Sequence, residues 1–210
     1  MVRRPDHEGH RRQGQPGGGE RPAEGQARDR LRAGGTRPDR WEGRIPNADH
    51  LRLVADTERT AAAAEALYDR IRRALGPALP TSADIRHVGA TAIPGCLTKG
   101  DLDLVVRVDA ADFPAAEVCL AARFARNAGS IRTEDFAAFA DDGQPLPLGI
   151  QLTVKGGPFD VFHHFADALR GDAGLLERYN ALKTRCDGLP MDAYRDEKSR
   201  FIAAVLRRLR

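Results

Sequence analysis

The 210-residue chain has little cysteine, only Cys96, Cys119 and Cys186. An odd number with no C-x-x-C pair argues against a disulfide framework and a zinc ribbon, and for a reducing compartment. No apolar run approaches the ~20 residues that a membrane-crossing helix needs. The amino terminus has charge but no apolar core segment, which predicts no secretory signal. Together these absences predict a cytoplasmic protein without membrane contact.

Large apolar residues are also scarce at the start. After Met1, residues up to Ala48 include only Val2, Leu31, Trp41 and Ile45 of that kind, against nine glycines and five prolines. Such a stretch cannot bury enough surface to offset the entropy of ordering it, so residues 1–48 are predicted to be a disordered Arg/Gly/Pro-rich lead. The lead holds eleven arginines against seven acids, a charge of +4, while the remainder holds 22 basic against 23 acidic residues, or −1. The sequence pI of about 9.0 therefore describes the lead. A basic arm allows weak nucleic-acid contact without sequence specificity. Acids interspersed among the arginines, and the lack of an aromatic ladder, favour a passive tail.

From residue 49 to residue 210 the patterning is that of one globular domain. Asp56 is placed to cap a helix over 57–75, with Leu67, Ile71 and Leu75 on one face and Gly76-Pro77 as its stop. A short strand over 85–88 leads into Gly89, and Pro94-Gly95 marks a tight connection. The clearest strand covers 101–108: Leu102, Leu104, Val106 and Val108 share one face, and Asp101, Asp103 and Val105 the other. Asp112 is placed to cap a helix to about Ala125, the stretch 131–139 is ambiguous, and Asp141-Asp142-Gly143 is a turn. A second alternating strand covers 149–155, with Gln151 and Thr153 on its polar face. Helices over 160–170, 173–185 and 192–209 follow. This order predicts an α/β (α+β) fold, a small sheet with helices covering one face.

Asp101 and Asp103 project from the same strand face about 6–7 Å apart along the backbone. That spacing suits one or two Mg²⁺ (or Mn²⁺) ions, which take hard oxygen ligands and share themselves with substrate phosphates. A bare Asp-x-Asp is more often a solvated face. The small-residue turn Gly89-Ala90-Thr91 just upstream raises the odds, because it lets backbone N–H groups approach a phosphate. His163-His164 lie about 100° apart on a helix, so they are expected to be a partly exposed face and not one metal site. Lys183 and Lys198 are expected to solvate the C-terminal helices, and Arg170 and Arg195 to form surface ion pairs. Cys96 has no evident base beside it. Phe162, Phe165 and Tyr179 are expected in the core.

The run His87-Val88-Gly89-Ala90-Thr91-Ala92-Ile93-Pro94-Gly95, followed by Lys99-Gly100-Asp101-Leu102-Asp103, resembles the motif of the GrpB family (UPF0157). The likeness continues through Asp167 and Leu169-Arg170, through Tyr179, Leu182 and Lys183, and through Tyr194, Lys198, Phe201 and Ile202. It implies a polymerase-β-like nucleotidyltransferase fold, a small mixed sheet with extra C-terminal helices. By the same resemblance Asp101 and Asp103 are the catalytic and metal-binding pair. The resemblance further implies that Gly89, Ala90, Thr91 and Lys99 contact the phosphates of a nucleoside triphosphate, and that His87 ends the first strand. The acceptor is not identified by the resemblance. Some relatives are fused to dephospho-CoA kinase, which implies the alternative of a non-catalytic nucleotide-binding or accessory module. Two departures stand out. Ala90 replaces a serine, and the position for a third carboxylate is Gln151, whose amide cannot take a proton at physiological pH. Glu134, Asp135 and Asp160 are the acids that can substitute from elsewhere.

The lead is expected to be dispensable for folding. Limited proteolysis should clip the chain before about Leu51 and leave a compact remainder that refolds without the lead. A truncated protein that fails to fold would refute the division.

Overall fold

The computed structural model describes residues 50–209, and the predicted lead lies outside them. Five strands form one mixed sheet in the order β1-β2-β5-β4-β3: β1 (Asp84–Val88), β2 (Leu102–Val108), β3 (Ala125–Arg126), β4 (Phe136–Asp141) and β5 (Leu148–Val154). β2 runs parallel to β5, and every other neighbouring pair is antiparallel. The helices are α1 (Thr57–Leu75), α2 (Phe113–Ala121), α3 (Phe162–Gly171), α4 (Ala173–Cys186) and α5 (Met191–Arg208). Among the described residues no helix is long and apolar enough to cross a membrane.

The alternation of β2 divides the domain into two faces. Leu102, Leu104, Val106 and Val108 bury against α1 and α2, joined by Leu148, Ile150 and Leu152 of β5. On the opposite face Val105 packs with Val88 and with Ala166 and Leu169 of α3, beside Leu175 and Tyr179 of α4 and Val205 of α5. The extra C-terminal helices therefore gather over the second face, and Asp103 of β2, with Asp101 just before the strand, lines the space they leave. Leu51 is tied to the α4–α5 connection: its N–H donates to the Leu189 carbonyl at 2.8 Å and its carbonyl accepts from Gly188 N–H at 2.9 Å.

Asp56 caps α1 as expected, accepting from Arg59 N–H at 2.9 Å. The other expected cap finds a different partner. Asp112 accepts from the Ser82 hydroxyl at 2.5 Å, and α2 begins after it with Pro114 in its first turn and ends at Ala121, not Ala125. The residues past that end bend into β3, because Ala125 and Arg126 find partners in Ala140 and Phe139. The ambiguous stretch resolves into a loop followed by β4, whose Phe136, Ala137, Ala138 and Phe139 are all buried. A strand buried on both faces has no polar alternation to reveal it.

Asp160, expected as the first residue of a helix, precedes α3, which begins at Phe162. It takes Arg107 in a bidentate pair at 2.5 and 2.7 Å and the Gly156 N–H at 2.8 Å. Arg107 also donates to Asp84 at 2.9 Å, so one guanidinium clamps β1, β2 and the approach to α3. His163 is buried with Nδ1 3.6 Å from Asp160, which corrects the expectation of an exposed face, while His164 is exposed. Burial alone raises the Asp160 carboxyl, but Arg107 and the Gly156 N–H outweigh it and hold the group below the ordinary carboxylate range. A carboxyl lowered in the folded state adds stability above its unfolded pKa of ~4, and that stability is lost as pH falls through the lower folded value. Asp160→Asn should therefore flatten the acid limb of melting temperature against pH below about pH 5. Asp160→Ala should cost about 3 kcal/mol in urea unfolding at pH 7, because it strips a partner from a mostly buried guanidinium.

Candidate functional site

The register of the sheet places small residues around the central carboxylate. Asp103 pairs with Val88 on one side and with Gly149 on the other, and Gly149 in turn pairs with Ala140. Gly89 follows Val88 at φ +75° and ψ −171°, a conformation that is essentially confined to glycine. A Cβ on Gly89 would stand 2.8 Å from Asp103 Cβ, and one on Gly149 would stand 3.2 Å from Asp103 Oδ1. The two glycines are the space in which the Asp103 carboxylate sits. A glycine inside an alternating strand is a signal of close approach. On that ground Gly149 is legible in the sequence as a point of close approach.

Asp101 precedes β2, immediately after Gly100 at φ +95°, and is buried. Its Oδ2 lies 2.5 Å from Lys99 Nζ. Burial opposes ionisation of Asp101, but Lys99 and, further off, Lys198 prevail and hold its carboxyl below the usual range. The backbone carbonyl of Asp101 accepts from the Thr91 hydroxyl at 3.0 Å. His87 Nε2 lies 3.0 Å from the same hydroxyl, and His87 Nδ1 lies 2.8 Å from Glu65 of α1. Burial keeps the His87 ring below the ordinary imidazole range in spite of Glu65. His87 thus points to the α1 face, opposite Asp103, and the chain Glu65–His87–Thr91 holds the turn in place.

A cavity of about 500 Å³ opens over this floor. Gly89, Ala90, Lys99, Asp101, Asp103 and Gln151 all line it, and Thr91 does not, since its hydroxyl is engaged beneath. Of the three substitute acids, Asp160 is held by Arg107 and Asp135 takes the Thr133 hydroxyl at 2.5 Å, while neither these nor Glu134 reaches the cavity. Asp142 lines it instead, from the β4–β5 turn.

The helical wall corrects several expectations. Lys183 is buried, not solvating: Nζ donates to the Leu97 carbonyl, lies 3.2 Å from Cys96 Sγ and stands 4.2 Å from the Tyr179 ring centre. Cys96 therefore does have an amine beside it. Burial draws the Lys183 amine below the usual range, although Cys96 and Asp101 act in the opposite sense. Lys198 and Arg195 line the cavity too, Arg195 also pairing with Asp192 at 2.9 Å. Tyr179 and Phe165 pack edge-on at 5.4 Å and form part of the same wall, so they serve core and cavity together. Arg170 forms the expected exposed pair with Asp167 at 2.8 Å and also donates to the Ala92 carbonyl. The spacing of Tyr179 and Lys183, one helical turn apart, was available in sequence as a stacking signal.

A mixed five-stranded sheet that carries paired acids at a glycine turn under a cationic helical wall defines the class of molecule. The match to the family described as GrpB protein extends over residues 50–208, and the chain belongs to that family. A UPF0157 protein of Vibrio cholerae serotype O1 is 33% identical over 146 residues, 69% of this chain and 77% of that one. The crystal structure of the conserved protein GrpB from Enterococcus faecalis shares the fold, with a TM-score of 0.53 at 16% identity over 70% of this chain and 92% of that one.

The packing around Asp103 makes a sharp prediction. Gly89→Ala should cost about 2–3 kcal/mol, since it combines a forbidden backbone conformation with a Cβ inside the aspartate. Gly149→Ala should be milder, shifting Asp103 by a few tenths of an ångström. Urea unfolding of both variants checks the order, and equal losses would refute the assignment of Gly89 as the tighter approach.

Proposed function

We propose that the cavity binds a nucleoside triphosphate with Mg²⁺ or Mn²⁺ and supports nucleotidyl transfer to an acceptor, in the cytoplasm. The observation that carries this reading is the Asp101–Asp103 pair at the cavity floor. One carboxylate is seated over two positions without Cβ, and the other is kept ionised by Lys99 and Lys198. The donor set fits the ion: two hard oxygen ligands on one side, with substrate phosphates to complete the shell. Among the described residues no three His, Cys, Asp or Glu side chains converge on one point, so the protein alone forms no full cage. Asp101 and Asp103 would hold the metal, which, when bound, would neutralise charge developing on the phosphates. Lys99 already brings a positive charge to Asp101 and offers it to phosphate. The turn at Gly89 and Ala90 admits a phosphate to backbone N–H groups, and Thr91 acts from below by fixing that turn.

A second reading is favoured by one residue. Gln151 pairs with Val105 on the cavity face of β5 and supplies no proton acceptor of carboxylate kind. A module that binds nucleotide without turning it over accommodates that position directly.

Calorimetric titration of triphosphates with Mg²⁺ tests the site. Asp103→Asn should abolish metal-dependent binding while leaving the fold intact, and Asp101→Asn should weaken it, since an amide keeps the shape but not the charge. Equal affinity in wild type and both variants would refute the metal assignment. Binding in the wild type without pyrophosphate release across a broad acceptor panel would select the second reading.

A further inference from the structure

Past Asp103, toward β4, the cavity changes character. Gln151 pairs with Ala138, and the backbone N–H of Asn127 donates to the Ala138 carbonyl at 2.9 Å, so Gln151, Ala138 and Asn127 lie in one row across the sheet. Gln151 and Asn127 both line the cavity. Ala138 and, one row nearer Asp103, Ala140 keep the floor low between them. Phe162, at the start of α3, also lines the cavity and stacks on Phe136 at 6.3 Å with ring planes 6° apart. Phe136 in turn packs on Phe159 at 4.8 Å and precedes Ala138 by two residues on the same strand face. An aromatic platform backed by two further rings therefore stands beside a row of carboxamides.

Within that row one atom has no partner. Gln151 Oε1 is buried and makes no hydrogen bond with any described residue. A buried carbonyl oxygen left unpaired is costly, and a donor N–H or O–H from a ligand removes the cost. Two residues along a strand and one strand across separate Gln151 from Asp103, about 8 Å between backbones. That is the scale on which the base of a nucleotide stands away from its α-phosphate.

Resting on the nucleotide reading above, we infer that Gln151, Asn127 and Phe162 form a nucleobase subsite whose ligand presents an exocyclic amino group to Gln151 Oε1. The ring stacks against Phe162, and the amino N–H satisfies the orphaned oxygen. A carboxamide pairs in two-point fashion with an amino group and the ring nitrogen beside it, as glutamine does with adenine. Bases with an oxo group at that position bring a second acceptor against Oε1 and are disfavoured. Gln151 is then a residue that reads the donor nucleotide, which accounts for an amide where a proton acceptor is expected.

Titration calorimetry of the full chain with ATP, ITP, CTP and UTP, each with Mg²⁺, tests this. ATP and CTP should bind at least about tenfold more tightly than ITP and UTP, the penalty for leaving a buried polar group unpaired. Gln151→Leu should bring all four within about threefold. Should that variant fail to fold, the ATP/ITP ratio of the wild type decides alone. Equal affinities in the wild type, a preference for the oxo bases, or inorganic tripolyphosphate binding as tightly as ATP overturns the base subsite while the phosphate site stands. If none of the four binds to a protein that melts cooperatively, the nucleotide reading falls and takes the subsite with it.

Discussion

Pairing of β2 with β1 on one side and with β5 on the other puts Asp103 between Gly89 and Gly149, and most of the site follows from that contact. A carboxylate on a central strand must have both neighbours small or be driven off the sheet. With both neighbours reduced to hydrogen, it stands upright over the floor, and the adjoining Ala140 extends the clearing towards β4. The same strand turns four aliphatic side chains to the other face, where α1 and α2 bury them. Core and site are thus two sides of one strand, and neither can shift in register without inverting the other.

Charge around the floor is balanced, and the balance is made across elements. Asp101 is buried and would lose its ionisation but for Lys99 and Lys198. Lys183 is buried more deeply and is stabilised by a carbonyl, a sulfur and an aromatic face. Burying ions is rarely favourable in itself. Lys183 of α4, buried, and Lys198 of α5, partly exposed, both line the cavity over the two aspartates. The Arg107 clamp at the other end of β2 is different in kind: its partners Asp84 and Asp160 are all consumed in joining strands and loop, and none faces the cavity.

Legibility in the sequence followed the range of the interaction. Asp101, Asp103, the turn at Gly89 and the alternation of β2 lie within twenty residues, and a local motif carries them. Where a residue's partner lies far along the chain, the local pattern points to a different role. Lys183 reads as a solvated helix charge until Cys96 and Leu97 arrive beside it. Asp160 reads as the first residue of a helix until Arg107 takes it. Asp112 reads as a helix cap, and Ser82 claims its carboxylate. In each case a polar group with a plausible local use found a stronger distant one, because burial raises the value of a charge-assisted partner over a solvated cap.

The sequence by itself determined the strand–turn–strand unit that carries the acidic pair, the α1 helix with its Asp56 cap, and membership of the GrpB family, since short-range periodicity and spacing encode all three. Only the tertiary structure decided that Gly149 stands beside Asp103, that α4 and α5 bring cations over the acids, and that Gln151 keeps a buried oxygen without a partner among the described residues. Those relations join residues separated by up to about a hundred positions, and strand register and helix docking, which set them, are properties of the packed chain as a whole.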